Sequence, residues 1–353
     1  MLKVYDIGLY GLWSQCNYGS IISYFALNKY LTDNGSSVLM LELPAMGGQA
    51  LFEHGYTHAR RFANEHYAIS HVYSPEDMWK YNNICSSFLL GSDQIWNYGV
   101  ARNYGKSFYL DFVNDFKPKA AYAATFGHEI DFTPENEKDG IGRLFRRFDS
   151  ISVREDDSVR LLSGYGVDAS QVVDPIFLHP ASVYEALADK AAFKPKGRYI
   201  AACILDPIPE AADCVRALSD KTGIKNIVAT LDGNPRTFRE KSEILGLPLR
   251  SDVQIEDLVN IILNSSYVIT DSYHTMCLAI MFRRNFIVIP NRFRGYSRFD
   301  SFERLVPVGS RYCHYDAGAI RDGKYSTPPE SDRIINALND SINRSKKWIE
   351  DNI

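Results

Sequence analysis

The chain has 353 residues, 45% of them hydrophobic and 23% charged, a balance that supplies a sizeable core and excludes a disordered chain, a collagen-like repeat and a disulfide-held miniprotein. At roughly 150 residues per domain, the length predicts two domains. With 39 Lys+Arg against 43 Asp+Glu, no global positive field gathers nucleic acid, which is not expected as a partner.

The longest apolar run, Met276 to Phe282, is far short of the roughly 20 residues that a bilayer span needs. The opening Met1-Leu2-Lys3-Val4-Tyr5-Asp6 lacks the apolar core of a secretory signal. The expectation is a cytoplasmic protein with at most peripheral contact at the inner face of a membrane. Six scattered cysteines without a C-x-x-C pair suit buried thiols in a reducing compartment. His54 and His58 stand four apart, but no Cys or carboxylate pattern completes a site, so no metal is expected.

In chain order, Lys3 to Leu9 reads as a strand, and Ile21, Tyr24, Leu27 and Leu31 recur at helical spacing until Asn34-Gly35 stops them. Ser37 to Leu43 resumes as a strand, which makes a βαβ unit. Further strands are predicted at Cys85 to Leu90, Ala120 to Thr125, Ile151 to Val153 and Val172 to Val173, with a helix over about Pro134 to Phe148. A helix over Ala181 to Lys196 ends in linker chemistry, Phe193-Lys194-Pro195-Lys196-Gly197. A second set of strands follows at Tyr199 to Leu205, Ile227 to Leu231, Tyr267 to Thr270 and Phe286 to Ile289. Ile255, Leu258, Val259 and Ile262 form a helix stripe before the third of these, and the last helix spans about Ser331 to Asp351.

The fold class is therefore α/β, with two doubly wound Rossmann-like domains facing a cleft, residues 1–190 and 191–353. The last helix is expected to pack back on the first domain. Ligands of such sheets bind beyond the carboxyl ends of the strands, which directs attention to five segments. Gly91-Ser92-Asp93-Gln94-Ile95-Trp96-Asn97 sets a glycine turn, a carboxylate, two amides and an indole past a buried strand; a helix cap at Asp93 with a core Trp96 is the other reading. Asn17-Tyr18-Gly19-Ser20 precedes the first helix and either holds an anion or caps it. Ser152-Val153-Arg154-Glu155 puts a guanidinium at a strand end, for a phosphate or for an ion pair. Thr270-Asp271-Ser272-Tyr273-His274 sets a histidine at a helix N-terminus. Arg283, Arg284, Arg292, Arg294 and Arg298 fall together with no acidic residue among them, either for an anionic substrate or as a solvated loop.

Asn17-Tyr18-Gly19, Gly91 to Asn97, Ser152-Val153-Arg154-Glu155, Asp174-Pro175 and Thr270-Asp271-Ser272-Tyr273-His274 resemble in order the motifs of the polysaccharide pyruvyl transferase family, from about Asn17 to Pro290. The resemblance implies a fold similar to B-type glycosyltransferases, the first domain on the acceptor side and the second on the donor side. It also implies transfer of the enolpyruvyl unit of phosphoenolpyruvate onto a hexose of a surface polysaccharide or its lipid-diphosphate-linked precursor, as a ketal. Phosphoenolpyruvate and a saccharide acceptor would then be the partners, with no cofactor. On that reading His274 is the candidate acid and Asp93 orients or deprotonates the sugar hydroxyl. Arg154, His274, Ser272, Arg284, Arg292 and Arg294 bind the donor, and Asn17, Tyr18, Gln94, Trp96 and Asn97 the acceptor. Ser272 stands where some members carry Arg, and Thr275 where many carry Gly. Two alternatives stand beside it. One is a nucleotide-sugar-dependent glycosyltransferase of the same fold, with Asp271 or Glu256 as a ribose carboxylate; the other is a non-catalytic glycan-binding protein.

Overall fold

The computed structural model describes residues 4–44, 57–70, 74–291 and 294–353. They form two compact units. The first comprises Met1–Gln15, Ser20–Leu178 and Ser341–Ile353; the second comprises Cys16–Gly19 and His179–Asp340. Among the described residues, no helix is long and apolar enough to cross a membrane. His54 and Lys3 lie outside the described residues.

In the first unit, β1 (Tyr5–Tyr10), β2 (Val38–Leu41), β3 (Ala68–Ile69), β4 (Cys85–Leu90), β5 (Lys119–Ala124), β6 (Ser150–Val153) and β7 (Ser170–Gln171) form a parallel sheet in the order β3-β2-β1-β4-β5-β6-β7. The order reverses between β1 and β4, where Leu9 lies beside Leu89 and Tyr10 beside Leu90. Helices cover both faces, so successive strand residues all find apolar partners. Leu9 and Leu89 join Leu27 and Tyr24 of the helix Tyr18–Asp33, while Tyr10, Phe88 and Leu90 join Trp96, Phe108 and Phe145 on the other side.

In the second unit, β8 (Ile200–Cys203), β9 (Ile227–Thr230), β10 (Tyr267–Thr270) and β11 (Asn285–Val288) are parallel in the order β11-β10-β8-β9. This order reverses between β8 and β10, where Cys203 pairs with Thr270. Both units are thus Rossmann-like α/β domains with a defined switch point, the place where open parallel sheets bind ligands.

Two predicted elements differ from those observed. The strand read at Val172 to Val173 lies two residues earlier, at Ser170–Gln171, because the Val173 amide is donated at 2.9 Å to Ser345 Oγ of the last helix and not to a strand. The helix read over Ala181 to Lys196 stops at Ala188, where Lys194 Nζ donates to the Asp189 carbonyl at 2.8 Å. That helix belongs to the second unit, tied by Asn260 Nδ2 to the Ala188 carbonyl at 3.3 Å. The first unit therefore gives way to the second at Leu178, ahead of the helix rather than after it.

The last helix, Ser331–Asn352, contributes Ser341 onward to the first unit. Ile349, 5% exposed, packs in the cluster of Ile7, Leu9 and Tyr122, and the Trp348 ring lies 5.9 Å from that of Tyr122. Ile349→Ala is expected to destabilise the first unit by about 2–4 kcal/mol. The neighbouring exposed Glu350→Ala should change stability by no more than about 0.5 kcal/mol. Urea unfolding of the two variants checks this, and equal midpoints would refute the packing role.

Candidate functional site

At the first switch point a hydroxyl ties the two strand ends. Tyr24 Oη accepts the Leu12 amide and donates to the Ser92 carbonyl, each at 3.1 Å. Its ring occupies the space where side chains at Gly11 and Gly91 would stand: a Cβ would lie 1.7 Å from Oη at Gly11, where φ is +148°, and 2.5 Å from Cε1 at Gly91. Glycine is required at both ends so that tyrosine can hold them.

Beyond Gly91 the chain enters a buried polar network. Ser92 and Ser23 hydroxyls meet at 2.6 Å, and Ser23 donates to Asp174 Oδ1 at 3.3 Å. Arg154 reaches Asp174 at 2.9 Å, Glu155 at 2.8 Å and Asp93 at 3.4 Å. Asp93 has φ +80°, a left-handed backbone that is uncommon for a residue with a side chain. It is held there because its carbonyl accepts the amides of Ile95 and Thr125. The guanidinium is 3% exposed and engaged by three carboxylates. A phosphate bound at Arg154 would have to compete with these carboxylates for a cation that compensates them.

Of the expected acceptor residues, Trp96 is core. It is fully buried, donates Nε1–H to the Phe108 carbonyl at 3.0 Å and stands edge-on to Phe145 at 4.9 Å. Asn97 caps the short helix Tyr98–Ala101 by accepting the Gly99 amide at 2.9 Å. Gln94 lies against the backbone of Gly127, where a Cβ would come within 2.6 Å of its amide carbon. Asn17 closes a turn by accepting the Gly19 amide at 2.9 Å, and Tyr18 Oη donates to the Val253 carbonyl at 2.8 Å. Both belong to the second unit.

The second switch point is tied by a carboxylate. Asp271 Oδ1 accepts the Leu205 amide at 2.6 Å, and Oδ2 accepts the Asp206 amide at 3.0 Å and Asn291 Nδ2 at 2.9 Å. Burial pushes the Asp271 carboxyl above its ordinary range against these amides, so the residue is committed to the backbone and does not face a ribose. Glu256, the other candidate for that role, is 3% exposed. Ser272 caps the helix Tyr273–Met281 by accepting the Thr275 amide at 3.3 Å. His274, 6% exposed, lies against Gly19, where a Cβ would fall 2.4 Å from Nδ1.

The arginine run divides. Arg284 precedes β11, at the amino edge of the sheet, and donates Nε–H to the Phe282 carbonyl at 2.8 Å; it is corrected as a donor ligand because the switch point lies at the other edge. Arg292 lies outside the described residues. Arg298 is buried and donates to the Arg294 carbonyl at 2.8 Å. Arg294 follows β11 and binds Asp206 through Nε and, at 3.1 Å, through Nη2; Asp232 lies 3.6 Å away.

Three residues here were not singled out from the sequence. Asp206 and Asp232 stand just past the carboxyl ends of β8 and β9, and Lys241 joins them at 3.2 and 2.7 Å. An acidic residue a step or two beyond each strand was the available signal. Burial raises the Asp206 carboxyl, but Arg294 and Lys241 outweigh it and hold the group well below the ordinary carboxylate range. Beside them, burial and Asp232 push the Cys16 thiol up to about 11, which keeps it protonated. Past β9, Tyr18, Leu231, Gly233, Asn234, Phe238 and Arg250 line a cavity of about 140 Å³.

Arg294→Gln should lower stability at pH 7 by about 1–3 kcal/mol, since Arg294 is partly exposed and Asp206 stays behind. A depressed carboxyl contributes stability above its unfolded pKa of about 3.9 and loses it as pH falls. The gap between wild type and variant should therefore narrow below about pH 4. Denaturant unfolding across pH measures it, and a gap independent of pH would exclude the ion pair as its cause.

The fold is shared with solved structures at low identity. UDP-GlcNAc 2-epimerase from Neisseria meningitidis bound to UDP-GlcNAc matches with a TM-score of 0.61 and 11% identity over 98% of each chain. The S. aureus MnaA-UDP co-structure matches with a TM-score of 0.56 and 13% identity over 99% of this chain and 95% of the other. The wall teichoic acid polymerase TagF, as H444N with CDPG, matches with a TM-score of 0.52 and 11% identity over 99% and 88%. No curated protein matches the sequence. The structures that share the fold hold UDP-GlcNAc, UDP or CDPG, and on that finding phosphoenolpyruvate is corrected as the expected partner. Of the arginines that were to receive it, Arg154 and Arg294 are bound to carboxylates, Arg284 lies at the amino edge of its sheet, and Arg292 lies outside the described residues. The family model for polysaccharide pyruvyl transferase matches residues 17–292. The chain is an enzyme of polysaccharide biosynthesis on a glycosyltransferase-B-like scaffold and belongs to the polysaccharide pyruvyl transferase family.

Proposed function

We propose that this enzyme is a nucleotide-sugar-dependent transferase whose second unit holds the nucleotide. The observation that carries the reading is the cavity beyond β9. It presents the rings of Tyr18 and Phe238, the amide of Asn234 and the guanidinium of Arg250, which suits a flat heterocycle with polar edges. Arg250 already stacks over the Phe193 ring at 4.2 Å, so its plane is set by an aromatic neighbour.

At the second switch point, the helix Tyr273–Met281 opens with Ser272. Its N-terminus favours a diphosphate, and His274 in its first turn supplies a ring nitrogen to the departing phosphate. In glycosyl transfer the bond between the sugar carbon and the phosphate oxygen breaks, the nucleoside diphosphate leaves with the electron pair, and an acceptor oxygen takes its place. The acceptor proton requires a base. Family membership supports polysaccharide biosynthesis as the setting, and the nucleotides held by proteins of the same fold support the donor class.

Thermal unfolding with UDP-GlcNAc, UDP and CDP tests the proposal. A nucleotide at 100 times its dissociation constant stabilises by about 2.7 kcal/mol, and Arg250→Ala should weaken that response. If no nucleotide shifts the transition, the proposal fails. Glycan binding without nucleotide binding would favour a glycan-binding protein instead.

A further inference from the structure

A second cavity, of about 270 Å³, lies elsewhere in the second unit, lined among others by Ser310, Arg311, Lys324, Thr327, Glu330 and Arg333. Arg311 is 4% exposed. Its Nε donates to the Phe286 carbonyl at 2.7 Å, Nη1 to Thr327 at 2.9 Å and Nη2 to Tyr325 at 3.3 Å, and the rings of Phe286 and Tyr325 lie 5.7 Å from its carbon. These partners are carbonyls and ring faces, none of them a carboxylate. A guanidinium has five N–H donors, so one hydrogen on Nη1 and one on Nη2 stay available.

The surrounding charge is also positive. Lys324 lies over Tyr325 at 5.4 Å with its ammonium engaged by the ring. Glu330 is the one carboxylate among the lining residues, bound to Arg333 at 3.1 Å in a largely exposed pair, so with Arg311, Lys324 and Arg333 the lining keeps a net positive formal charge. The first turn of the 22-residue helix Ser331–Asn352 closes the cavity through Arg333 and Ile334, adding the N-terminal end of a long helix whose one first-turn acid, Asp332, is paired with Arg283 at 3.3 Å. A buried guanidinium bonded only to carbonyls, an exposed ammonium over a ring and the first turn of a helix line one space.

We propose that this cavity binds a phosphate monoester, with Arg311 as the fork, Lys324 and Arg333 as outer cations, and room beyond the phosphate for an organic body such as a sugar. Arg311 is anchored at Phe286, one residue into β11. The site thus sits toward the amino edge of the sheet, away from the strand ends that carry Asp206 and Asp271. It is independent of the nucleotide proposal.

Calorimetric titration of the full chain with inorganic phosphate and with glucose 1-phosphate tests it. Both should bind, more weakly as salt rises. The double variant Lys324→Ala, Arg333→Gln leaves Arg311 and its structural bonds intact and should weaken binding by about tenfold or more. Arg250→Ala should leave it unchanged. Absence of binding to the wild type, unchanged affinity in the double variant, or loss in Arg250→Ala would each overturn the assignment.

Discussion

A parallel sheet whose strand order reverses leaves backbone amides at the carboxyl ends of its two central strands without a neighbouring strand, and buried amides must be satisfied. Each unit meets this demand with one side chain. In the first, the Tyr24 hydroxyl takes the Leu12 amide and returns a proton to the Ser92 carbonyl. In the second, Asp271 takes the amides of Leu205 and Asp206 with its two oxygens. The rest follows from these ties: Gly11 and Gly91 exist because the Tyr24 ring fills their space, and Asp206 is delivered to Arg294 and Lys241 because its own amide is held.

The same demand explains why two arginines that read alike in the sequence differ in use. Arg154 sits inside the first network at 3% exposure, with carboxylates on its available sides. Removing it would strand Asp174 and Glu155 as buried charges, so its first duty is to permit that network to exist. Arg294 is 30% exposed at its side chain and shares Asp206 and Asp232 with Lys241. Two carboxylates meet two cations there, so the cluster is neutral and offers no surplus field to a small trianion. A nucleotide bound by ring faces and helix-end amides asks for less local charge.

The fold was legible because the strands are short apolar runs closed by glycine or polar turns, and Cys85–Leu90 and Tyr267–Thr270 were read to the residue. Element ends were less so. Val172 and Val173 look like a strand, but the last helix takes the Val173 amide through Ser345, a partner 172 residues away that no local pattern reports. At the site, residue types at strand ends were readable while their partners were not. Nothing in the spacing of Gly91 to Asn97 separates a cleft indole from a core one, and Trp96 is core because Phe126 and Phe145 arrive from distant segments. Asp206, Asp232 and Lys241 went unread because each is an ordinary charged residue until β8 and β9 pair within the sheet β11-β10-β8-β9.

Gly19 and His274 show what the resemblance could not. They stand 255 residues apart in two motifs that each look self-sufficient, one a helix cap and the other a histidine at a helix start. In the second unit they are one object: a Cβ at Gly19 would lie 2.4 Å from Nδ1 and 2.9 Å from the His274 Cβ, so neither a rotamer change nor a small tilt of the ring makes room. The glycine is therefore set by packing against the imidazole, and backbone freedom at φ above zero plays no part, since Gly19 lies within the helix Tyr18–Asp33. It follows that the Asn17-Tyr18-Gly19 turn positions His274 as much as it caps a helix. Tyr18, held to Val253, links that same turn to the cavity beyond β9. The four residues Cys16–Gly19, which belong to the second unit, thereby pack against the imidazole through Gly19 and line the cavity beyond β9 through Tyr18.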